Sequence, residues 1–127
     1  MLIYLWVALG SALGGVARYA LTLATVALLG AGFPWGTILI NVLGSFIISF
    51  FGTLSLPTGP YAAAPGLRAF VMVGICGGFT TFSSFSLQTL ELARDQQWLA
   101  AAANIILSVV LCLLSVAAGH MAATRLL

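Results

Sequence analysis

The chain has 127 residues, 62% of them hydrophobic and 5% charged, with four arginines against two acids. Six charges cannot clothe a water-exposed surface for a chain this long, so a soluble enzyme or regulatory domain is excluded, and a formal net charge of +2 offers no basic patch for a nucleic acid. With a mean hydropathy of +1.20 the solvent of this protein is a lipid bilayer.

Arg18, Arg68, Glu91, Arg94, Asp95 and Arg125 are separated by uncharged runs of 17, 49, 22 and 29 residues. A helix crosses the hydrocarbon core with about 20 residues, and "GAGFP" at Gly30–Pro34 divides the longest run. The expectation is therefore an all-α membrane protein of four transmembrane helices forming one domain over residues 1–127. The first is predicted over Ile3–Leu29. It lacks a basic leading region and its apolar stretch is too long for a signal peptide, so it reads as a retained span. Ser11, Gly14, Arg18, Thr22 and Thr25 recur every three or four residues and share one face. Gly10-x-x-x-Gly14 suits a close helix contact, whereas Arg18 lies deep enough that anchoring and function both remain open.

The second helix is predicted over Trp35–Leu56, with a polar stripe of Thr37, Asn41, Ser45, Ser49 and Gly52. A bare amide in lipid is costly, which favours a functional Asn41. The three prolines and two glycines of "PTGPYAAAPG" then require a loop. The third helix, predicted over Gly66–Arg94, contains "GGFTTFSSFS", where Gly77 and Gly78 are expected to open the helix and the Thr and Ser hydroxyls to bond the freed backbone. Such a break at membrane depth is tolerated only when buried in protein or lining a cavity, and its carbonyls and N–H groups can attract a cation or an anion. Phe79, Phe82 and Phe85 follow at every third position, as packing or as rings whose positive edges face a path for a small anion.

After the short "RDQQ" turn, the fourth helix is predicted over Gln97–Thr124, with a stripe of Asn104, Ser108, Cys112, Ser115 and Gly119. Cys76 and Cys112 read as small apolar side chains, and the single His120 has no carboxylate near it in sequence. Nothing resembles a zinc site or an activated nucleophile, so no enzyme is expected. Four passes place both termini and the second loop on one side with Arg68 and Arg125, against Arg94 opposite, offset by Glu91 and Asp95. This is a poor orientation bias, and it predicts a chain that inserts both ways round and pairs as an antiparallel, dual-topology homodimer. A pair would also supply the interior that a thin four-helix bundle lacks.

"GGVARY", "GTILINVLGS" and "GGFTTFSSFS", in that order, closely resemble the small fluoride channels called Fluc or CrcB, and the resemblance spans essentially the whole chain. It implies a bacterial inner-membrane homodimer, embedded in the lipid bilayer, that passively exports fluoride through two pores. On that resemblance Asn41, Phe82 and Phe85 line the pore, with Ser108 on the fourth helix, and the hydroxyls of Thr81 and Ser84 are further donors suited to fluoride. Arg18 belongs to the vestibule, and a structural Na+ at the dimer centre is held by the backbone carbonyls of Gly77 and Thr80. The chain departs from the family pattern at Ser84 for threonine, Gln88 for glutamate, and Asn104 where relatives often carry tyrosine. The rival reading, a small multidrug-resistance-type transporter, needs a carboxylate in the first helix, where this chain has only Arg18.

Overall fold

The computed structural model describes all 127 residues, Met1–Leu127, and every regular element in it is helical. Helix α1 covers Leu2–Leu29 and α2 covers Trp35–Leu54. Between them Gly30 takes φ +80, a left-handed backbone that suits glycine, and its N–H donates to the Val26 carbonyl to close the last turn of α1. The third span, Pro65–Arg94, bends and comprises α3 (residues 65–79) and α4 (Phe82–Arg94); α5 covers Trp98–Thr124. Within α3 a first turn at Pro65–Arg68 gives way to wider turns over Ala69–Cys76 and then to Gly77–Phe79.

Four helices are therefore long and apolar enough to cross a membrane, as the charge spacing predicts, and the chain is a multi-pass membrane protein. Only 18 of the 127 residues are buried, while leucines, valines and isoleucines of every span stand exposed. That distribution suits lipid as the covering solvent. Between lipid-bathed helices the hydrophobic effect offers no attraction, so close packing and interhelical hydrogen bonds must hold the bundle.

Glycine supplies the close packing. A β-carbon on Gly10 would lie 2.4 Å from the Phe70 carbonyl oxygen, and one on Gly14 would lie 2.2 Å from that of Ile75, so α1 and α3 touch backbone to backbone. In the same way, a β-carbon on Gly119 of α5 would meet the Phe46 carbonyl of α2 at 2.5 Å. Two hydroxyls then stitch α2 to α5: Ser49 donates to the Val116 carbonyl at 2.8 Å and Ser115 to that of Val42 at 2.7 Å. The lower parts of these two polar stripes are consequently packing surfaces.

Helix ends differ slightly from the predicted ones. Helix α2 stops at Leu54 rather than Leu56, with the buried Ser55 returning both its N–H and its hydroxyl to the Phe51 carbonyl. Arg68 reinforces this end, its guanidinium donating to the carbonyls of Gly52 and Ser55 and to the Ser55 hydroxyl. The larger correction concerns the glycine pair. Gly77 is helical at φ −64, ψ −38 and Gly78 belongs to the same helical stretch; the residues that leave helical geometry are Thr80 (φ −80, ψ 159) and Thr81 (φ −154, ψ 119). Gly78 answers a different need, since a β-carbon there would fall 2.6 Å from the Ser11 carbonyl oxygen.

Candidate functional site

The bend has a cause at each of its ends. On the downstream side Thr81 is the N-cap of α4: its Oγ1 accepts the Ser84 N–H at 3.1 Å, satisfying a donor that the new helix would otherwise leave free. On the upstream side Thr80 folds back on α3, its N–H and its hydroxyl both donating to the Cys76 carbonyl. The extended peptide between them would expose Thr81's own N–H and carbonyl, and Asn41 of α2 takes both. Its Oδ1 accepts the Thr81 N–H at 2.8 Å while its Nδ2 donates to the Thr81 carbonyl at 2.9 Å. A side-chain amide thus pairs with the backbone as a neighbouring strand would, forty residues away in sequence.

This clasp borders a cavity of about 370 Å³ between α2, the bend and α5. Its wall includes Asn41, Thr80, Thr81, Phe82, Phe85 and Ser108. Every side chain on that wall is uncharged. The sequence-predicted residues are therefore brought together from three separate spans, with Ser84 and Arg18 outside the lining. Ser84 sits in the first turn of α4, where its Oγ accepts from the Thr81 hydroxyl. Arg18 is half-buried on α1 and its guanidinium makes no hydrogen bond within the chain.

The two aromatic rings of the wall are placed differently. Phe85 is 9% exposed and Phe82 is 77% exposed, with centroids 5.3 Å apart and planes tilted by 49°. Gly77, also on the wall, is exposed. A large ring left open beside bare backbone marks the side on which this wall ends. Phe79 does not line the cavity, in keeping with a packing role.

Few hydrogen-bond donors remain free there. The Thr80 proton goes to Cys76, the Thr81 proton to Ser84, and Ser108 donates to Asn104 Oδ1 at 3.3 Å. Asn41 keeps one amide hydrogen beyond the one given to Thr81. Ser45 retains its whole hydroxyl, with no partner in the chain, and lines the cavity one turn beyond Asn41. Sequence reasoning placed Ser45 on the polar stripe without naming it as a site residue; its i+4 spacing from Asn41 was the available signal. Cys76 and Cys112, expected to be inert packing, line the same wall as free thiols.

Gln88 faces a separate cleft near the α1–α2 loop, shared with Thr22, Thr25, Thr37, Glu91 and Asp95, and its Oε1 is buried with no hydrogen-bond partner. The carboxylates of the chain thus lie apart from the bend.

The sequence matches the family model described as CrcB-like protein, Camphor Resistance (CrcB), over residues 5–120. The chain belongs to the CrcB family. Within reach of it are proteins named fluoride-specific ion channel FluC. One from Methylocella silvestris is 54% identical over 123 residues, covering 97% of this chain and 94% of the relative. Another from Paramagnetospirillum magneticum is 56% identical over 124 residues, covering 98% and 97%, and one from Opitutus terrae is 54% identical over 126 residues, covering 99% and 96%. Family and spans together make this a multi-pass bacterial membrane protein.

Proposed function

We propose that this protein is a fluoride-selective channel, not an enzyme, that lets fluoride leave the cell down its gradient across the inner membrane. The observation that carries the reading is the wall at the bend: neutral donors and aromatic rings, with no carboxylate, in a member of a family whose relatives are named fluoride channels. Fluoride is small and tightly hydrated, so a path for it must replace water with N–H and O–H groups. Asn41's remaining amide hydrogen and the hydroxyls of Ser45 and Ser108 are the donors in reach, with Thr81 and Ser84 contributing by holding the bend. The positive edges of Phe82 and Phe85 narrow the route and attract an anion weakly. Weak sites in series also suit conduction, which fails when any one of them binds too well. Arg18 belongs at the entrance, where a fixed positive charge concentrates anions without trapping them at the narrowest point.

A second copy of the chain completes the path. Phe82 at 77% exposed and the bare backbone of Gly77 are the open border of the wall, and an antiparallel partner in the membrane would close it. Two such copies form two pores. The weak charge asymmetry of the loops supports insertion in both orientations.

The bend also suits a structural sodium ion between the two copies. The Thr81 N–H that would continue the helix on Gly77 is given to Asn41 instead, which releases the Gly77 carbonyl from its helical partner. Neutral carbonyl oxygens at Gly77 and Thr80 are hard donors of the kind that hold such an ion, and no cluster of three or more His, Cys, Asp or Glu competes for a metal. When bound, the ion supplies a fixed positive charge at the interface; the chain's own part is to leave these carbonyls without their helical N–H partners.

The test is direct. Purified protein in liposomes loaded with fluoride is followed with a fluoride electrode, and the measurement is repeated with chloride. Fluoride efflux well above chloride efflux is expected; no fluoride efflux, or equal chloride efflux, overturns the proposal.

A further inference from the structure

Asn104, a departure from the pattern that the family resemblance implies, is buried to 0% exposure on α5 behind the cavity wall. It stands in a continuous hydrogen-bonded chain. Ser108 Oγ donates to Asn104 Oδ1 at 3.3 Å, Asn104 Nδ2 donates to Thr89 Oγ1 at 2.9 Å, and Thr89 Oγ1 donates to the Phe85 carbonyl at 2.7 Å. Both ends of the chain, Ser108 and Phe85, line the cavity, from two different helices.

The direction of this relay is dictated by chemistry. A carbonyl oxygen only accepts, so the Phe85 carbonyl claims the single Thr89 hydroxyl proton. Thr89 must then accept from its other neighbour, which turns the NH₂ of Asn104 toward it and leaves the amide oxygen facing Ser108. The Ser108 proton is drawn to that oxygen, away from the cavity. A Ser108 hydroxyl so held meets the cavity with lone pairs, the wrong polarity for an anion.

We infer that Asn104 is a positioning residue that competes with the passing anion for the Ser108 proton. The inference rests on the fluoride-channel reading. An anion beside Ser108 must turn the hydroxyl out of its bond to Asn104, and at 3.3 Å that bond is longer than the usual hydroxyl range of about 2.5–3.0 Å and yields readily. Asn104 thereby keeps Ser108 from becoming a site that binds the anion too well for conduction. The backbone link through Thr89 sets the same relay relative to the Phe85 ring.

Initial fluoride efflux is measured against fluoride concentration for wild type, Asn104→Leu, Ser108→Ala and the double variant. Leucine keeps the branched shape of asparagine, at a larger volume, and removes the competing oxygen. In Asn104→Leu the half-saturating fluoride concentration should fall by about threefold to tenfold and the maximal flux should fall with it, whereas in the Ser108→Ala background the same change should leave half-saturation unaltered. Thr89→Val, which lets the Asn104 amide turn over and present its NH₂ to Ser108, should shift half-saturation in the same direction and covers the case in which Asn104→Leu fails to fold. A shift of equal size with and without the Ser108 hydroxyl, or no shift in either variant, overturns the relay alone. A wild-type protein that passes no fluoride overturns the channel reading and this inference with it.

Discussion

Replacing Asn41 by Asp separates the two tasks of this residue. A carboxylate keeps an oxygen to accept the Thr81 N–H, but it loses the donor that meets the Thr81 carbonyl at 2.9 Å and sets two acceptors against each other there. It also puts a negative charge on the cavity wall. A sphere of about 370 Å³ has a radius of about 4.5 Å, so an anion crossing the cavity passes about that far from the new carboxylate. At 4.5 Å and an effective dielectric constant of about 20, two unit like charges repel by about 3.7 kcal/mol. With about 1.4 kcal/mol for each power of ten, fluoride flux should fall by two to three powers of ten. The assay is electrode-detected fluoride efflux from liposomes at matched protein density, with gel filtration in detergent to show that the variant keeps its assembly. An intact Asn41→Asp protein that passes fluoride within about threefold of wild type would refute the placement of Asn41 on the ion path.

Phe82→Ile should leave thermal stability in detergent nearly unchanged, because the ring is 77% exposed in the isolated chain, while cutting fluoride efflux at least about tenfold; unimpaired efflux would remove Phe82 from the path. Gly14→Ala should lower the melting temperature through an overpacking cost of about 1–3 kcal/mol, since its β-carbon would meet the backbone at Ile75 and Phe79 and force α1 from α3. An unaltered melting curve would contradict that contact. Arg68→Met should destabilise the end of α2 by about 1.5–3 kcal/mol through loss of charge-assisted hydrogen bonds to Gly52 and Ser55, with Arg68→Lys less harmful; equal melting of all three proteins would show that these bonds contribute nothing. Single cysteines at Tyr61 and Gln96, labelled in membranes with an impermeant thiol reagent, should each react from both sides. One-sided labelling at each position would refute insertion in both orientations.

The spans and their polar stripes were legible because lipid imposes simple bookkeeping: twenty apolar residues per crossing and no uncompensated charge within it. Six charges, one Gly-Pro break and a proline-rich loop were enough to place four helices within two residues of their ends. The position of the bend was not legible in the same way. Glycine's backbone freedom pointed to Gly77 and Gly78, yet both remain helical; at Gly78 glycine answers instead to the close pass of α1, which leaves no room for a β-carbon. Thr81 itself, a residue type favoured at the N-cap, was the local signal of a helix restarting, since its hydroxyl accepts the backbone N–H of Ser84.

The sequence by itself determined that this chain lives in a membrane and how often it crosses, since these follow from composition and period, whereas the residues expected to serve an anion came from the resemblance of its motifs to a known family. Only the tertiary structure decided what each polar group does. Asn41 meets Thr81 across forty residues, and Thr81 and Ser108 give their protons to Ser84 and Asn104 rather than to the cavity. The reason is that a hydrogen bond depends on direction and on the partner's remaining lone pairs and protons. Those are properties of neighbours in space, and no spacing along the chain encodes them.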